Sequence, residues 1–215
     1  MDSHKNSGRE NRLRLRGRIV KVASEMFVTN GIKNTRMDDI AIALSISKRT
    51  LYEIFKDKED LLLEIMRVHY AQMKEFSETV SAREGSVLEK LFVVLQHNLN
   101  DMRKVSKGFI QELQRYPHVI EFMRDTQKHR AELAQHFYEA GLKEELFLPR
   151  INYDIVIALH EYMQGFIDFV LQRDLDLAEI IQTTIFVHLR GISTEKGKRM
   201  LEEFYSRIKS ENQKI

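Results

Sequence analysis

Residues 36–55 of this 215-residue chain concentrate side chains suited to a polyanion. Arg36, Lys48, Arg49, Thr50 and Tyr52 are the positions left over when Met37, Ile40, Ala41, Leu44, Ile46, Leu51 and Phe55 are assigned to a shared interior. Lysine and arginine neutralise phosphates, and their donors suit O6 and N7 of guanine. A tyrosine hydroxyl such as that of Tyr52 reaches a phosphate oxygen. The open amides of a helix beginning at Lys48 attract phosphate as well. Lys58, in the first turn of a following helix, opposes that helix's dipole unless an anion lies beside it. The chemistry expected is reversible binding to double-stranded nucleic acid.

Other chemistries find less support. His129, Glu132 and His136 have metal-like spacing, but they lie opposite the apolar stripe Ile120, Met123, Ala134, Phe137 and Gly141 and are expected to face solvent. No metal and no cofactor are therefore expected. The absence of cysteine excludes a disulfide framework, a thiolate zinc site and a cysteine nucleophile. The chain has no phosphate-binding glycine motif, no nucleophile elbow and no paired-carboxylate motif, so no residue is assigned a catalytic role. The alternatives are an enzyme or a helical small-molecule-binding protein without a DNA-binding role. An enzyme would need a strongly perturbed carboxylate or histidine in a cavity, and the intact basic face Lys48–Tyr52 argues against a protein that has lost DNA binding.

Positioning this face is a task for helices. With 9 Gly and 2 Pro the chain has too little turn punctuation for a sandwich or an α/β fold. Apolar residues at helical spacing predict about ten helices and an all-α fold. The first runs from Arg9 to the stop at Asn30-Gly31. Thr35, with Asp38 behind it, is expected to cap a short helix Arg36–Leu44. Ser45-Ile46-Ser47 then leads into Lys48–Phe55, the size of a helix-turn-helix. Asp57 and Asp60 begin a longer helix to about Val80. Further helices are expected over 88–102, 109–113, 119–142 (with Gly141 at its end), 155–171, 177–192 and 200–208. The division expected is a disordered tail over 1–8, a DNA-binding head over 9–56 and a helical body over 57–215.

Charge follows that division. Residues 1–58 carry 13 Lys and Arg against 7 Asp and Glu, a net of +6, whereas the whole chain is only +2. A basic head on a slightly acidic body suits a polyanion partner. The polar start has no secretory hydrophobic region, and no apolar run reaches the roughly 18 residues of a membrane span, so a cytoplasmic protein is expected.

The run Gly31, Thr35, Asp38-Asp39-Ile40-Ala41, Ile46-Ser47-Lys48, Thr50-Leu51-Tyr52, Phe55, Lys58-Glu59 and Leu61 resembles the signature of the TetR family of transcriptional repressors. The likeness covers about Arg18 to Leu62. It implies a three-helix head with a helix-turn-helix, a larger C-terminal body for ligand binding and dimerisation, and a homodimer on a near-palindromic DNA operator. The DNA-facing set is then Thr35, Arg36, Ser47, Lys48, Arg49, Thr50, Tyr52 and Lys58, with Lys48 and Arg49 the candidates for base readout. The chain departs from the family at Ser45, where glycine is usual, at Arg49, where a small residue is frequent, and at Glu53, often basic or aromatic. Ser45 would strain a left-handed backbone. Glu53, if it faces the duplex, would repel phosphate or accept from a cytosine amino group.

For the body, the resemblance implies a cavity for a small effector. The candidate lining is Phe92, Leu95, Phe109, Gln111, Met123, Tyr138, His160, Met163 and Gln164, mostly apolar, which suits a hydrophobic or amphipathic ligand. Around Met163 the apolar arc of Ile155, Val156, Leu159, Tyr162, Phe166, Ile167, Val170 and Leu171 is broad enough for burial on two sides. The dimer interface is expected from Ile155, Leu159, Tyr162, Phe166, Val170, Ile181, Ile185 and His188.

Overall fold

The structure, a computed structural model, describes residues 2–163 and 177–212, and the side chains of residues 8–106, 108–126, 132–159 and 179–207. Ten helices follow one another among the described residues: α1 (Asp2–Asn30), α2 (Met37–Ala43), α3 (Lys48–Ile54), α4 (Lys58–Ser81), α5 (Val87–Met102), α6 (Lys107–Leu113), α7 (Pro117–Lys143), α8 (Tyr153–Met163), α9 (Leu177–Ile192) and α10 (Glu195–Asn212). The fold is all-α, and its described extended pairing is an isolated bridge between Phe147 and Ser193. α1 begins at Asp2, ahead of the Arg9 start expected, so residues 2–8 are helix rather than loose tail. One glycine in that stretch, Gly8, costs only about 1 kcal/mol in a helix and does not stop it.

The chain forms two compact units, residues 1–73 with 104–123, and residues 74–103 with 124–215. The first unit thus includes a segment well beyond the expected head boundary at residue 56. Its core buries Ile19, Ala23 and Phe27 of α1, Ile40 of α2, Leu51 of α3 and Leu61 and Leu62 of α4. Phe109, Leu113 and Val119 complete that core. Phe109 was expected in the effector cavity. Periodicity identified its apolar face correctly, but cannot say which neighbour covers it.

Local chemistry sets the ends of the short helices. α2 starts one residue later than expected: Arg36, in extended backbone (φ −91°, ψ 154°), holds the cap position, and its N–H donates to Asp39 Oδ2 at 2.8 Å. At the other end Ser45 takes φ +55°, and the Ile46 N–H reaches back to the Ala41 carbonyl at 3.0 Å. This is a left-handed helix stop made without glycine. For α4, Asp57 Oδ1 accepts from the Asp60 N–H at 2.9 Å and Asp60 Oδ2 from the Lys56 N–H at 3.0 Å.

The second unit buries Leu88, Phe92, Tyr138, Leu146, Phe147, Val156, Leu189, Ile192 and Leu201. Gly141 does not end α7, which continues to Lys143. Its role is close approach: a Cβ there would lie 2.1 Å from the Phe147 ring. The left-handed stop is Glu145, at φ +58°. Beyond it the Thr194 N–H donates to the Leu146 carbonyl and the Leu148 N–H to the Ile192 carbonyl, both at 2.9 Å.

Ser45→Gly and Glu145→Gly should each stabilise the protein by about 1 kcal/mol, because both side chains occupy a region that glycine enters without Cβ strain. Gly141→Ala should destabilise it by more. Denaturant unfolding of the three variants checks the signs, and a Ser45→Gly variant less stable than the parent would contradict the strain.

Candidate nucleic-acid interface

α2 and α3 are joined through Leu44–Ser47, and each spans seven residues. Ser47 caps α3: its Oγ accepts from the Thr50 N–H at 3.0 Å and lies 2.8 Å from Thr50 Oγ1. One of the open amides expected to attract phosphate is therefore already used. Leu51 and Phe55 are fully buried, and Thr50 is half-buried. Lys48, Arg49, Tyr52 and Glu53 are exposed. Arg36 is exposed at the start of α2.

Two cations of this face carry an acidic partner. Lys48 Nζ is ion-paired with Asp38 Oδ2. Arg49 Nε donates to Glu53 Oε1 at 2.8 Å, and that hydrogen bond with its carboxylate charge holds the guanidinium above its usual range. Two residues of the expected DNA-facing set are occupied elsewhere. Thr35 is 1% exposed, with Oγ1 directed at the Gly31 carbonyl (2.9 Å) and the Met26 carbonyl (3.3 Å). It locks the turn after α1 and has no hydroxyl to offer a duplex. Lys58 Nζ donates to the Ile32 carbonyl at 2.7 Å. Burial pushes its ammonium down, an effect opposed by the Glu112 and Asp39 carboxylates. Spacing placed Lys58 in a first turn, but not the carbonyl it would find there.

Sequence reasoning also missed what braces this surface. Arg12 Nη2 donates to the Glu53 carbonyl at 2.8 Å. Arg16 Nη1 donates to the Ile54 carbonyl at 3.4 Å, while its guanidinium pairs with Glu64 at 3.0 Å and lies 4.5 Å from the Phe55 ring centroid. Both arginines thus cap the carbonyl end of α3, where a cation suits the dipole. The density of arginine in α1 was the available signal. Glu112 accepts from the Lys33 N–H at 2.8 Å, and Glu59 from the His118 N–H at 2.9 Å. No local pattern announces those two.

The expected effector lining is divided between the two units. Phe109 belongs to the first unit's core, and Gln111 and Met123, in that same unit, are exposed. Phe92 and Leu95 are buried in the second unit beside Gln182, Ile185, Phe186, Leu189, Leu201, Phe204 and Tyr205, around a space of about 10 Å³, no more than one water. Phe92 stacks on Phe204 at 3.6 Å between centroids. Tyr138 is buried, its hydroxyl 3.1 Å from His188 Nε2, and desolvation pushes its pKa up to about 12. The side chains of His160, Tyr162 and Met163, and all of Gln164, Phe166 and Val170, lie outside the described residues, as does the side chain of His129. Among the described residues no three metal-ligating side chains gather.

The expected dimer residues divide by exposure. Ile155 is 65% and Leu159 50% exposed on α8. Ile181, Ile185 and His188 are half-buried on α9, where Val187 is exposed. No helix among the described residues is long and apolar enough to cross a membrane.

Residues 19–65 match the family described as bacterial regulatory proteins, tetR family. An uncharacterized HTH-type transcriptional regulator of Bacillus subtilis (strain 168), YvaF, is 33% identical over 81 residues, 37% of this chain and 43% of that protein. The likeness thus spans less than half the length of this curated relative. A TetR-family transcriptional regulator from Marinobacter aquaeolei VT8 has a TM-score of 0.69 at 18% identity, over 88% of this chain and 98% of that one. The ketosteroid transcriptional regulator KstR2 of Mycobacterium tuberculosis has a TM-score of 0.55 at 20% identity, over 84% of this chain and 95% of that one. At such identities these two structures show the fold alone.

Lys58→Met should lower the stability of the DNA-free protein by about 1 kcal/mol, because the part-buried Ile32 carbonyl loses a charged donor. Denaturant unfolding without DNA tests this, and a variant as stable as the parent would remove Lys58 from the brace.

Proposed function

We propose that the chain, whose residues 19–65 match the tetR family of bacterial regulatory proteins, is a ligand-responsive transcriptional regulator, a repressor that binds a near-palindromic operator as a homodimer. Regulators of this family are non-enzymatic DNA-binding transcription factors. The observation that carries the reading is the exposed face of α3: Lys48, Arg49 and Tyr52 project from a helix whose opposite side, Leu51 and Phe55, is fully buried. In a dimer, two such helices about 34–36 Å apart would enter successive major grooves.

Ile155 and Leu159, one turn apart on α8, leave apolar surface exposed, as does Val187 on α9. Such surface on a folded chain suits a partner, and a second copy is the partner that a palindromic site requires. The effector is proposed to be hydrophobic or amphipathic. Phe92, Leu95 and Tyr138 remain its candidate contacts, since their surroundings offer apolar side chains and few charges, but an effector there would have to widen a space that now holds no more than one water. A highly charged molecule would lose hydration there without compensation. Release from DNA follows only if the effector binds the DNA-free conformer better than the bound one. A cytoplasmic location accompanies this reading.

Duplexes selected by the protein from a random pool test DNA binding directly. Their affinity should fall linearly in logarithm with salt, and Lys48→Ala should flatten that slope by about one unit. Salt-independent binding would sink the reading. For assembly, the double substitution Ile155→Asp and Leu159→Asp should give monomers in sedimentation, because opposed carboxylates in a buried interface lose their hydration. A parent protein that sediments as a monomer at micromolar concentration would overturn the dimer.

A further inference from the structure

At about 100° per residue, the direction opposite buried Leu51 on α3 falls midway between Arg49 and Glu53, about 20° from each. The part of the helix farthest from the core is therefore an arginine and a glutamate together. Their side chains are 88% and 57% exposed and joined by the 2.8 Å bond from Nε to Oε1. For phosphate binding this is a poor arrangement, since the carboxylate repels every duplex and neutralises the cation beside it. For base reading it is a good one. A guanidinium has donors on two edges. With Nε engaged by Glu53, the Nη1 and Nη2 end keeps two parallel N–H groups, and its plane is oriented before DNA arrives. That end matches guanine O6 and N7. The remaining oxygen of Glu53 has only acceptor character, which suits a cytosine N4 amino group and not the acceptor-rich edge of guanine. The base of α3 under this pair is itself fixed, because Arg12 holds the Glu53 carbonyl at 2.8 Å.

We propose that Glu53 is a specificity-determining residue: it orients Arg49 to read one guanine in each half-site, and its charge opposes binding to DNA lacking that guanine. The inference rests on the DNA-binding reading above and extends it. Arg49 touches the base, and Glu53 acts through Arg49 as a positioning residue. Lys48, paired with Asp38 at the edge of the face rather than opposite the core, has the surroundings of a phosphate contact instead.

The test uses the full-length protein and a duplex selected from a random pool by the unaltered protein. Anisotropy titrations compare this duplex, a set in which each G·C pair of the half-site is changed in turn to A·T, and an unrelated duplex. The unaltered protein should lose about tenfold or more at one G·C position. Glu53→Ala should bind the unrelated duplex as tightly as the parent or more tightly, yet lose most of the guanine preference at that one position. Arg49→Lys should lose the preference at the same position. Both residues are exposed, and thermal unfolding of each variant confirms folding. The proposal is overturned if Glu53→Ala keeps the preference, or if it weakens all duplexes by the same factor, as a merely structural residue would. It is also overturned if Arg49→Lys affects a different position. Failure of the unaltered protein to bind any duplex would instead remove the underlying reading, and the proposal with it.

Discussion

A helix of seven residues does not hold itself together in water, because nucleation costs more than two turns of hydrogen bonds return. α3 is such a helix, and it carries the surface on which the functional reading depends. Everything around it acts to make a marginal element rigid. Ser47 closes its amide end, Arg12 and Arg16 close its carbonyl end from α1, and Leu51 and Phe55 fix its rotation by complete burial. Rigidity at this scale matters for recognition, since side chains held in place before binding lose less freedom on meeting a duplex.

The same constraint explains why the first unit extends to residues 104–123. Three short connections, after α1, α2 and α3, leave backbone groups that need partners. Thr35 supplies one from inside the turn. Lys58 supplies another, and Glu112 a third for the Lys33 N–H. Phe109, Leu113 and Val119 close the core beside these polar contacts. A head cut at residue 56 would lack Lys58 and Glu112, two of the groups that satisfy its turns.

What could be read in the sequence follows from range. Helix existence, the burial of Leu51 and Phe55 and the start of a helix at Asp57 and Asp60 were legible because each depends on residues a few places apart, and the left-handed Ser45 through the family resemblance. Thr35 was assigned to the wrong duty for a reason of the same kind: a cap and a buried turn lock call for the same residue type one position from the helix. Phe109 and Glu112 were not legible as parts of the head, because their partners lie far off in sequence, with Glu112 separated from Lys33 by 79 positions. Tyr138 and His188, expected in a pocket and an interface respectively, meet each other. Periodicity reports that a face is covered but not by what.

Net charge is a further case in which sequence and structure measure different things. The +6 of residues 1–58 suggests a uniformly available basic surface, yet Arg12, Arg16 and Lys58 donate to backbone carbonyls, and Lys48 and Arg49 are each paired with a carboxylate. The long-range field survives these contacts, because an arginine capping a helix is still a cation and still attracts a polyanion. Short-range contact does not survive in the same way, since a donor already engaged must exchange one partner for another. Under the proposed function, steering of a duplex would be the work of the whole basic head, including exposed Arg9, Arg14, Arg18 and Arg36. Discrimination would then fall to the few groups whose engaged state still presents donors outward, and on α3 the geometry that meets this condition is an arginine held at Nε with its Nη end free of that bond.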